Sequence, residues 1–452
     1  MDRRNFLKYS LAGTASAAIT PEALAEKVKA GIIIPGAITS DGKKGAVSTD
    51  VEKHVAVSGY VKEPAHRVPV VAEADVVVVG GGAAGVAAAV CAARQGVSVI
   101  LVEKTNYLGG LWTGGLVLPV LATHGKGKSK AWDKATSGFC TEVCDTLLDN
   151  GWAVNPLNPK VEPEATKYLL DKLIAEAGVR MVYNATAAGV TMSGNRIESV
   201  LVDCNTGRLA LRCKMAVDAT GDGCVFNFAG DPYEARRYHM TTTYRMAGFR
   251  NASDPSTGSP LSDMRTGGFG VNEPIDGLDI FEVSRRQQQH RLGIWNDVEA
   301  RKKTPGNEGI YLMEVAPTTG LRVTRVLNSI HNVTLEESME WTAFPDVIGM
   351  SGVCDPFHYK GRWIAHEDRP IWQIPYRSLL PQETHNLLVC GRCFGYDQGI
   401  TWDAREISTC MVTGQAAGTA AALSTLQRCA AKDLDVPRLQ DTLRRANVRL
   451  DF

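Results

Sequence analysis

The sequence predicts an α/β fold in which a parallel β-sheet, extended by a β-meander, is interrupted by an inserted α+β domain. Three observations predict it. A buried strand, a glycine turn and a small-residue helix follow one another near residue 75, three strand-like segments joined by tight turns follow near residue 188, and a second Ala- and Gly-rich helix lies near the C-terminus. At 452 residues the chain is long enough for two or three domains.

Composition is that of an ordinary globular protein and excludes several functions. Lys plus Arg equal Asp plus Glu at 49 each, so no bulk charge attracts nucleic acid or an anionic membrane, and neither is an expected partner. The 11 cysteines show no paired spacing, no haem-attachment motif and no closely spaced four-cysteine run. We therefore expect no disulfide scaffold, no haem, no iron–sulfur cluster and no metal site.

The first 25 residues are typical of a twin-arginine signal peptide. Arg3 and Arg4 precede an apolar, small-residue run over 9–20, and Ala23-Leu24-Ala25 has the pattern of a cleavage site. We expect the twin-arginine export machinery to carry the folded protein to the periplasm. No other stretch has the length and apolarity of a membrane span, so no span is expected after signal removal. An ordinary amphipathic N-terminal helix is the alternative.

Residues 74–103 are predicted to form a βαβ unit. A β-branched run over 75–79 is typical of a buried parallel strand, and it breaks at three consecutive glycines. The alanine-rich segment 83–94 predicts a helix, and the apolar run 97–102 predicts the second strand. Strand, turn, helix and strand follow in the order and length of a dinucleotide-binding unit.

Gly80, Gly82 and Gly85 form the G-x-G-x-x-G motif of dinucleotide-binding turns. The first glycine permits the turn, the second lets backbone approach a pyrophosphate, and the third allows close packing of helix on strand. The pyrophosphate is expected at the helix N-terminus, beside Ala84. Glu103 is placed to accept hydrogen bonds from an adenosine ribose. A chance glycine turn is the alternative, which the flanking strand and helix disfavour.

A helical stripe over 163–177 and a strand over 179–183 follow. Three strand-like segments joined by turn signals then predict a β-meander, over 188–192, 197–203 and 209–217. The meander ends in Ala219-Thr220-Gly221, a further tight turn at the end of a core strand.

Four segments together resemble a known family. They are the approach 75–85, Glu103-Lys104 with Gly109-Gly110, the turn 219–223, and the segment 386–418 with Gly391-Arg392-Cys393, Arg405, Thr409-Cys410-Met411 and Gly414-Gln415-Ala416-Ala417-Gly418. This set resembles the FAD-dependent oxidoreductases of glutathione-reductase-like architecture, over almost all of residues 65–430. The resemblance implies a Rossmann-type FAD-binding domain with an inserted α+β substrate domain and non-covalently bound FAD.

The resemblance also implies where the cofactor lies. Bare backbone at Gly109 and Gly110 suits a flat ring system, Gly391-Arg392 and Arg405 would close over the ribityl and ring portions, and the helix from Thr409 would point its positive end at the flavin. The expected cofactor-binding residues are Gly80, Gly82, Ala84, Gly85, Glu103, Lys104, Gly109, Gly110, Thr113, Ala219, Thr220, Gly221, Gly391, Arg392, Arg405 and Gln415.

The expected domain organisation follows from these assignments. The segments are a signal peptide (1–25), an N-terminal extension (26–72), the first part of the FAD-binding domain (73–225), a substrate or cap domain (226–375), the C-terminal part of the FAD-binding domain (376–430) and a C-terminal helix (431–452).

Two related activities are disfavoured by motifs that the sequence lacks. A second G-x-G-x-x-G after a strand is missing, which argues against a built-in NAD(P)H domain. Disulfide reductases need a cysteine pair beside the flavin, yet 108–120 contains no cysteine. Cys390 and Cys393 spell C-x-x-C, which we interpret as packing rather than redox chemistry. Electrons are therefore expected to pass to an external carrier, a quinone or a redox protein.

Substrate chemistry at a flavin needs a group that moves a proton and often a cation that holds the substrate. His358 lies in a segment that matches family patterns, as do Tyr376 and Arg377, and His239 is the next candidate. We expect His358 to move the proton and Arg377 to bind or polarise substrate. A purely structural role is the alternative for each histidine.

The sequence therefore predicts an exported FAD-dependent oxidoreductase that transfers two electrons between a small organic substrate and the flavin. Three alternatives stay open. They are a fumarate-reductase-like reductase of an unsaturated acid, which the lack of haem sites weakens, a dehydrogenase of a carbohydrate or similar alcohol, and a non-catalytic flavin-binding protein that retains the fold.

Overall fold

The computed structural model describes residues 51–249, 264–352, 357–365 and 368–452. The predicted signal peptide lies outside the described residues, as do residues 26–50 of the predicted extension. The α-helices are Val51–His54, Ala83–Ala93, Phe139–Asp149, Pro163–Glu176, Cys224–Ala229, Ile280–Arg301, Leu335–Met339, Thr401–Ala404, Ile407–Gln427 and Val436–Arg445, with 3-10 turns at Tyr376–Leu379, Gln398–Ile400 and Ala431–Asp433.

The strands of the described residues are numbered in chain order. They are β1 Val70–Val79, β2 Val99–Val102, β3 His124–Lys126, β4 Trp132–Lys134, β5 Ala153–Val154, β6 Lys160–Val161, β7 Arg180–Val182, β8 Thr186–Ser193, β9 Arg196–Cys204, β10 Gly207–Asp218, β11 Tyr233–Ala235, β12 Arg237–Ala247, β13 Arg265–Asp276, β14 Tyr311–Val315, β15 Arg325–Leu327, β16 Val347–Ser351, β17 Phe357–Tyr359, β18 Arg362–Ile364, β19 Trp372–Pro375 and β20 Leu387–Val389.

A seven-stranded sheet in the order β7-β2-β1-β10-β9-β8, with β20 also paired to β10, forms the centre of the described structure. Strands β7, β2, β1, β10 and β20 run parallel to one another, whereas β9 pairs antiparallel with both β10 and β8 to form the meander. The first half of β10 pairs with β9 and its second half with β20, so one strand joins the meander to the core. The α/β fold predicted from the sequence, with its parallel sheet and meander, is confirmed.

Two small-residue helices pack against each other over this sheet. A Cβ on Gly414 would lie 2.1 Å from the carbonyl oxygen of Ala84, and one on Gly418 would lie 2.0 Å from that of Ala88. These contacts advance by four residues along both helices at once, so Ala83–Ala93 and Ile407–Gln427 run parallel. Both helices therefore begin at the same end of the domain.

The insertion carries its own antiparallel sheet, in the order β13-β12-β14. The Ile280–Arg301 helix packs on it through a small core that includes Tyr244, Met246, Ile294 and Val298. This arrangement brings one end of the helix, and the segment that follows β14, back toward the central sheet. No helix of the described residues is both long enough and apolar enough to cross a bilayer.

Candidate active site

A cavity of about 560 Å³ lies where the parallel strands of the central sheet end. Gly80 follows β1, Glu103 follows β2, Ala219 follows β10, and Gly391 lies two residues after β20; all four line the cavity. Ligands of parallel α/β sheets bind at the carboxyl ends of the strands. A larger open depression of about 940 Å³, lined partly by β9 and β10, lies away from these residues and has no glycine turn.

Most of the expected cofactor residues line this cavity. They are Gly80, Gly82, Ala84, Glu103, Lys104, Gly109, Gly110, Ala219, Thr220, Gly221, Gly391, Arg392 and Arg405. The other three lie behind the lining. Gly85 packs the helix on the turn, the Thr113 hydroxyl donates to the Leu108 carbonyl, and Gln415 Oε1 accepts from the Phe139 amide at 2.9 Å.

The three motif glycines differ in what surrounds them. Gly80 has φ +102°, and a Cβ there would lie 2.4 Å from the carbonyl oxygen of Ala219. A Cβ on Gly85 would lie 1.7 Å from the carbonyl oxygen of Gly80, so this glycine permits the close approach of helix and turn. A Cβ on Gly82 would meet no atom within 4 Å, because this glycine faces the open cavity.

Glu103 holds the glycine turn in place. Its Oε2 accepts from the Gly81 amide at 2.6 Å, and its Oε1 accepts from the amide and the hydroxyl of Thr105, both at 2.8 Å. The residue is 6% exposed and borders the cavity. Both carboxylate oxygens are therefore engaged by the protein, and the predicted contact with a ribose would add to these bonds.

Charged side chains also line the cavity. Arg392 Nη2 donates to Asp222 Oδ1 at 2.6 Å, and the Lys104 ammonium lies 3.8 Å from Asp222 Oδ2. Burial by itself raises the pKa of Asp222, but the charges of Arg392 and Lys104 outweigh burial and hold this pKa below its ordinary value. Asp222 is therefore an ionised acceptor that orients Arg392 at the cavity.

The lining fits a dinucleotide with a flavin ring. Trp112 Nε1 and Arg392 Nη1 are buried donors with no hydrogen-bond partner in the described part of the chain, and both residues line the cavity. Buried donors of this kind are normally satisfied, so a ligand with several acceptors suits them. The N-termini of the two parallel helices also meet the cavity, at Ala83 and Ile407, and favour negative charge there.

The inserted domain supplies a wall that the sequence did not predict. Val283, Pro317, Thr318, Thr319 and Leu321 line the cavity on this side. The Thr318 amide donates to the Gly114 carbonyl at 3.0 Å, and its hydroxyl bonds that of Tyr107. No local motif marks these residues, since the segment reaches the cavity only through packing of the insertion against the flavin domain.

Two of the expected catalytic residues are placed away from the cavity. The buried Tyr376 hydroxyl donates to the carbonyl of Ala431 at 2.8 Å, and burial raises the pKa of Tyr376. Arg377 lies 3.5 Å from Asp346, and its ring neighbour is Phe344. Neither residue lines the cavity, because the 3-10 turn that carries them points both side chains into other contacts.

His358 also lies outside the cavity lining. It is exposed on the β17–β18 hairpin, where its ring meets Trp363 edge-on at 4.9 Å. The neighbouring Asp355 and Pro356, which shared its sequence pattern, lie outside the described residues. Proximity in sequence to a flavin motif therefore did not place this side chain at the cavity.

His239 is not among the residues that line the cavity, but it belongs to a group that reaches the cavity through Arg405. Its ring stacks on Tyr238 at 4.6 Å and lies 6.0 Å from the ring of Trp402. The guanidinium of Arg405 lies 4.7 Å from the Trp402 ring centre, and that of Arg322 lies 5.9 Å from it. We call these five residues the Trp402 cluster. Burial, and then the charges of the two arginines, lowers the pKa of His239, so its imidazole is neutral at neutral pH.

No group of metal-ligating side chains is found in the part of the chain that the structure describes.

Known proteins of related sequence match only part of this chain. The chain is 27% identical over 183 residues to digeranylgeranylglycerophospholipid reductase 1 of Methanococcoides burtonii, covering 37% of this chain and 43% of that protein. It is 28% identical over 163 residues to thiamine thiazole synthase of Aeropyrum pernix, covering 33% of this chain and 56% of that protein. The chain thus spans about half the length of these relatives.

Solved structures that match the chain include a geranylgeranyl bacteriochlorophyll reductase-like protein from Thermoplasma acidophilum, at 16% identity and a TM-score of 0.45, covering 83% of both chains. Another is p-nitrophenol 4-monooxygenase from Pseudomonas putida, at 12% identity and a TM-score of 0.43, covering 83% of this chain and 88% of that chain.

The family described as FAD dependent oxidoreductase matches residues 75–254 and 235–443, which is most of the chain and includes every cavity segment described above. The glycine turn, the two helix N-termini and the buried donors are what an FAD site requires. The protein belongs to the FAD dependent oxidoreductase family, and its cofactor is FAD.

Proposed function

We propose that the protein transfers two electrons between a small organic substrate and FAD, and that it exchanges these electrons with a separate carrier, a quinone or a redox protein, in the periplasm. The observation that carries the proposal is the cavity that is lined by the glycine turn, by a wall from the insertion and by Arg405, which contacts Trp402. The glycine turn suits the cofactor, and the side chains around Arg405 can bind a substrate. The lack of a second dinucleotide motif in the sequence supports a separate carrier.

Bound FAD supplies the hydride acceptor or donor of a two-electron reaction. The chain's own residues then have three roles. The N-termini of the Ala83–Ala93 and Ile407–Gln427 helices stabilise negative charge in the cavity. Arg392, which is held by Asp222, orients a hydrogen-bond acceptor of the ligand bound in the cavity. A ring nitrogen of His239, neutral at neutral pH, takes up or returns the proton that the substrate loses or gains.

The visible spectrum and anaerobic titrations test the proposal. The purified protein should show a flavin spectrum that acid precipitation releases, since the FAD is expected to be non-covalent. One pool of small organic compounds should bleach the flavin or reoxidise its reduced form, and a soluble quinone should exchange electrons with it. Rapid reduction of the flavin by NADH or NADPH would contradict the need for a separate carrier.

Two histidine variants separate the candidate proton carriers. His239→Gln should keep its FAD content and lose at least about tenfold in turnover, because a positioned general acid or base contributes roughly 100-fold or more. His358→Gln should stay within about twofold of the parent, because its ring is exposed on the β17–β18 hairpin and contacts Trp363, away from Arg405 and the cavity. The opposite pattern would return the proton-transfer role to His358.

Export through the twin-arginine route is a separate part of the proposal. It is supported by Arg3 and Arg4 and by the apolar run and cleavage pattern that follow them. An Arg3→Lys/Arg4→Lys double variant should accumulate in the cytoplasm as FAD-loaded protein, whereas the parent should be recovered from the periplasm. Periplasmic recovery of the double variant would contradict this route.

A further inference from the structure

We infer that the substrate of this oxidoreductase is a flat organic anion, held by the guanidinium groups of Arg322 and Arg405 against the ring of Trp402 beside the FAD cavity. This inference rests on the proposed function, which leaves the substrate class open. Among the substrate classes left open by the sequence, the inference favours an organic acid over a neutral carbohydrate or alcohol.

Folding brings the Trp402 cluster together from three distant segments. Gly320 packs so closely on β12 that a Cβ there would lie 1.8 Å from the carbonyl oxygen of Thr241. This contact fixes the start of the segment that carries Arg322 close to Tyr238 and His239. Arg405 and Trp402 arrive from the short Thr401–Ala404 helix and its end. The two arginines therefore approach one tryptophan from different segments.

Arg405 connects the cluster to the cofactor. Its side chain lines the FAD cavity, its guanidinium lies 4.7 Å from the centre of the Trp402 ring, and its buried Nε has no hydrogen-bond partner in the described structure. Its Nη1 lies 3.5 Å from Glu406, which is buried. One side of this guanidinium is thus held by a carboxylate, while a donor remains for a ligand.

The cluster also leaves part of an aromatic side chain exposed. Trp402 is 40% exposed, although it lies among Tyr238, His239 and two arginines that cover much of its surroundings. The exposed part of this indole gives a planar molecule an apolar surface to pack against. The guanidinium of Arg322 lies 5.9 Å from the same ring, so a molecule stacked on Trp402 has both cations within reach.

Two guanidinium groups beside an aromatic ring favour a ligand that is both negatively charged and planar. Guanidinium groups bind carboxylates through paired, charge-assisted hydrogen bonds, which are stronger than bonds to neutral oxygens. The positive charges of Arg322 and Arg405 reach the neighbouring His239. Burial is the larger cause of the lowered pKa of His239, and the charges of both arginines lower this pKa further. A neutral ligand of the same shape would gain the stacking and lose the ionic contribution.

The test compares two planar probes of nearly equal shape on FAD-loaded protein, trans-cinnamate and its neutral amide trans-cinnamamide. Tryptophan fluorescence and the visible flavin band report binding. Cinnamate should bind at least about tenfold more tightly than the amide, which corresponds to about 1.4 kcal/mol. Added salt should weaken the binding of cinnamate and leave that of the amide nearly unchanged.

Two arginine variants locate the effect. Arg322→Gln should reduce cinnamate affinity at least about tenfold while changing amide affinity by less than about twofold. Arg237→Gln is the matched control, because this guanidinium lies one residue before Tyr238 yet is exposed and faces Glu282 at 3.5 Å. The control variant should bind both probes as the parent does.

Three results would overturn the inference: equal affinity for the acid and the amide, no saturable binding of either probe, or unchanged cinnamate affinity in Arg322→Gln with normal FAD content. Different observations would contradict the proposed function. The purified protein would then show no flavin spectrum, or its flavin would change redox state with no organic compound, whatever the ratio of the two probe affinities.

Discussion

At the scale of one residue, a substitution of Gly82 is expected to weaken cofactor binding without weakening the fold. Its backbone is extended, and a Cβ would meet no protein atom within 4 Å, so alanine is compatible with the folded chain. Gly82→Ala should change the free energy of unfolding of the FAD-free protein by less than about 0.5 kcal/mol. The new methyl group would occupy the space where a pyrophosphate approaches, so FAD affinity should fall at least about tenfold. Urea unfolding and flavin titration measure the two quantities.

Gly85 is the contrasting position. A Cβ there would lie 1.7 Å from the Gly80 carbonyl oxygen, and backbone has little freedom to move away. Gly85→Ala should lower the free energy of unfolding by about 1–3 kcal/mol even without FAD, as overpacking does elsewhere. If both alanine variants lost stability equally, the assignment of Gly82 to the open cavity would be wrong.

Glu103 needs two acceptor oxygens. Its Oε2 accepts from the Gly81 amide and its Oε1 from Thr105, whereas a glutamine would turn an NH₂ group toward one of these donors. Glu103→Gln should therefore cost about 1–3 kcal/mol of unfolding free energy and reduce FAD content, because it leaves a buried donor unsatisfied. Glu142→Gln, which breaks a half-exposed pair with Arg94, is the control and should cost about 0–1 kcal/mol. Equal losses would argue against the buried network.

At the scale of elements, the pair of parallel helices decides the geometry of the site. Gly414 and Gly418 let the Ile407–Gln427 helix approach the backbone of Ala84 and Ala88, and this approach sets both helix N-termini at the cavity. The two helices are buried along most of their lengths, so neither has a free face that would relieve a larger side chain.

The prediction at this scale concerns Gly418. A Cβ there would lie 2.0 Å from the Ala88 carbonyl oxygen, so Gly418→Ala should separate the helices, lower the free energy of unfolding by about 1–3 kcal/mol and weaken FAD binding. Leu426→Ala, at an exposed position of the same helix, should change stability by less than about 0.5 kcal/mol. Stability and FAD affinity are measured together. Unchanged FAD affinity in a destabilised Gly418→Ala would show that helix spacing does not position the cofactor.

At the scale of the whole molecule, stability should depend on pH through one buried and two partly buried histidines. Burial is the main cause that lowers the pKa values of His124, His239 and His290 below 6.5, with added repulsion from nearby Lys and Arg side chains. Below pH 6.5 the unfolded chain then binds more protons than the folded chain. Stability should thus be full above pH 6.5 and fall as the pH drops through the lower folded-state pKa values.

Urea midpoints between about pH 7.5 and about pH 5.5 measure this dependence. Each single His→Gln replacement at these positions should flatten the decline, because it removes one group that resists protonation. His66→Gln, at an exposed position, should leave the slope unchanged. A flat profile in the parent protein would show that these imidazoles are not held neutral by burial.

The sequence by itself determined the fold class and the cofactor, and most of the residues that it assigned to the cofactor line the cavity. These inferences depend on short-range constraints. A β-branched run followed by Gly80-Gly81-Gly82 has few backbone options, and the four parallel strands that precede Gly80, Glu103, Ala219 and Gly391 must end at one edge of a sheet. Residues that directly follow such strands meet at that edge whatever the rest of the chain does.

Tertiary structure alone decided which side chains of the insertion border the cavity. Val283, the segment 317–321 and the Trp402 cluster meet because the insertion packs against the flavin domain, and no local pattern encodes that packing. His358, Tyr376 and Arg377 lie near flavin motifs in sequence, yet their elements direct the side chains elsewhere. The physical reason is that backbone preferences act over a few residues, whereas the direction of a side chain depends on contacts between segments far apart in the chain.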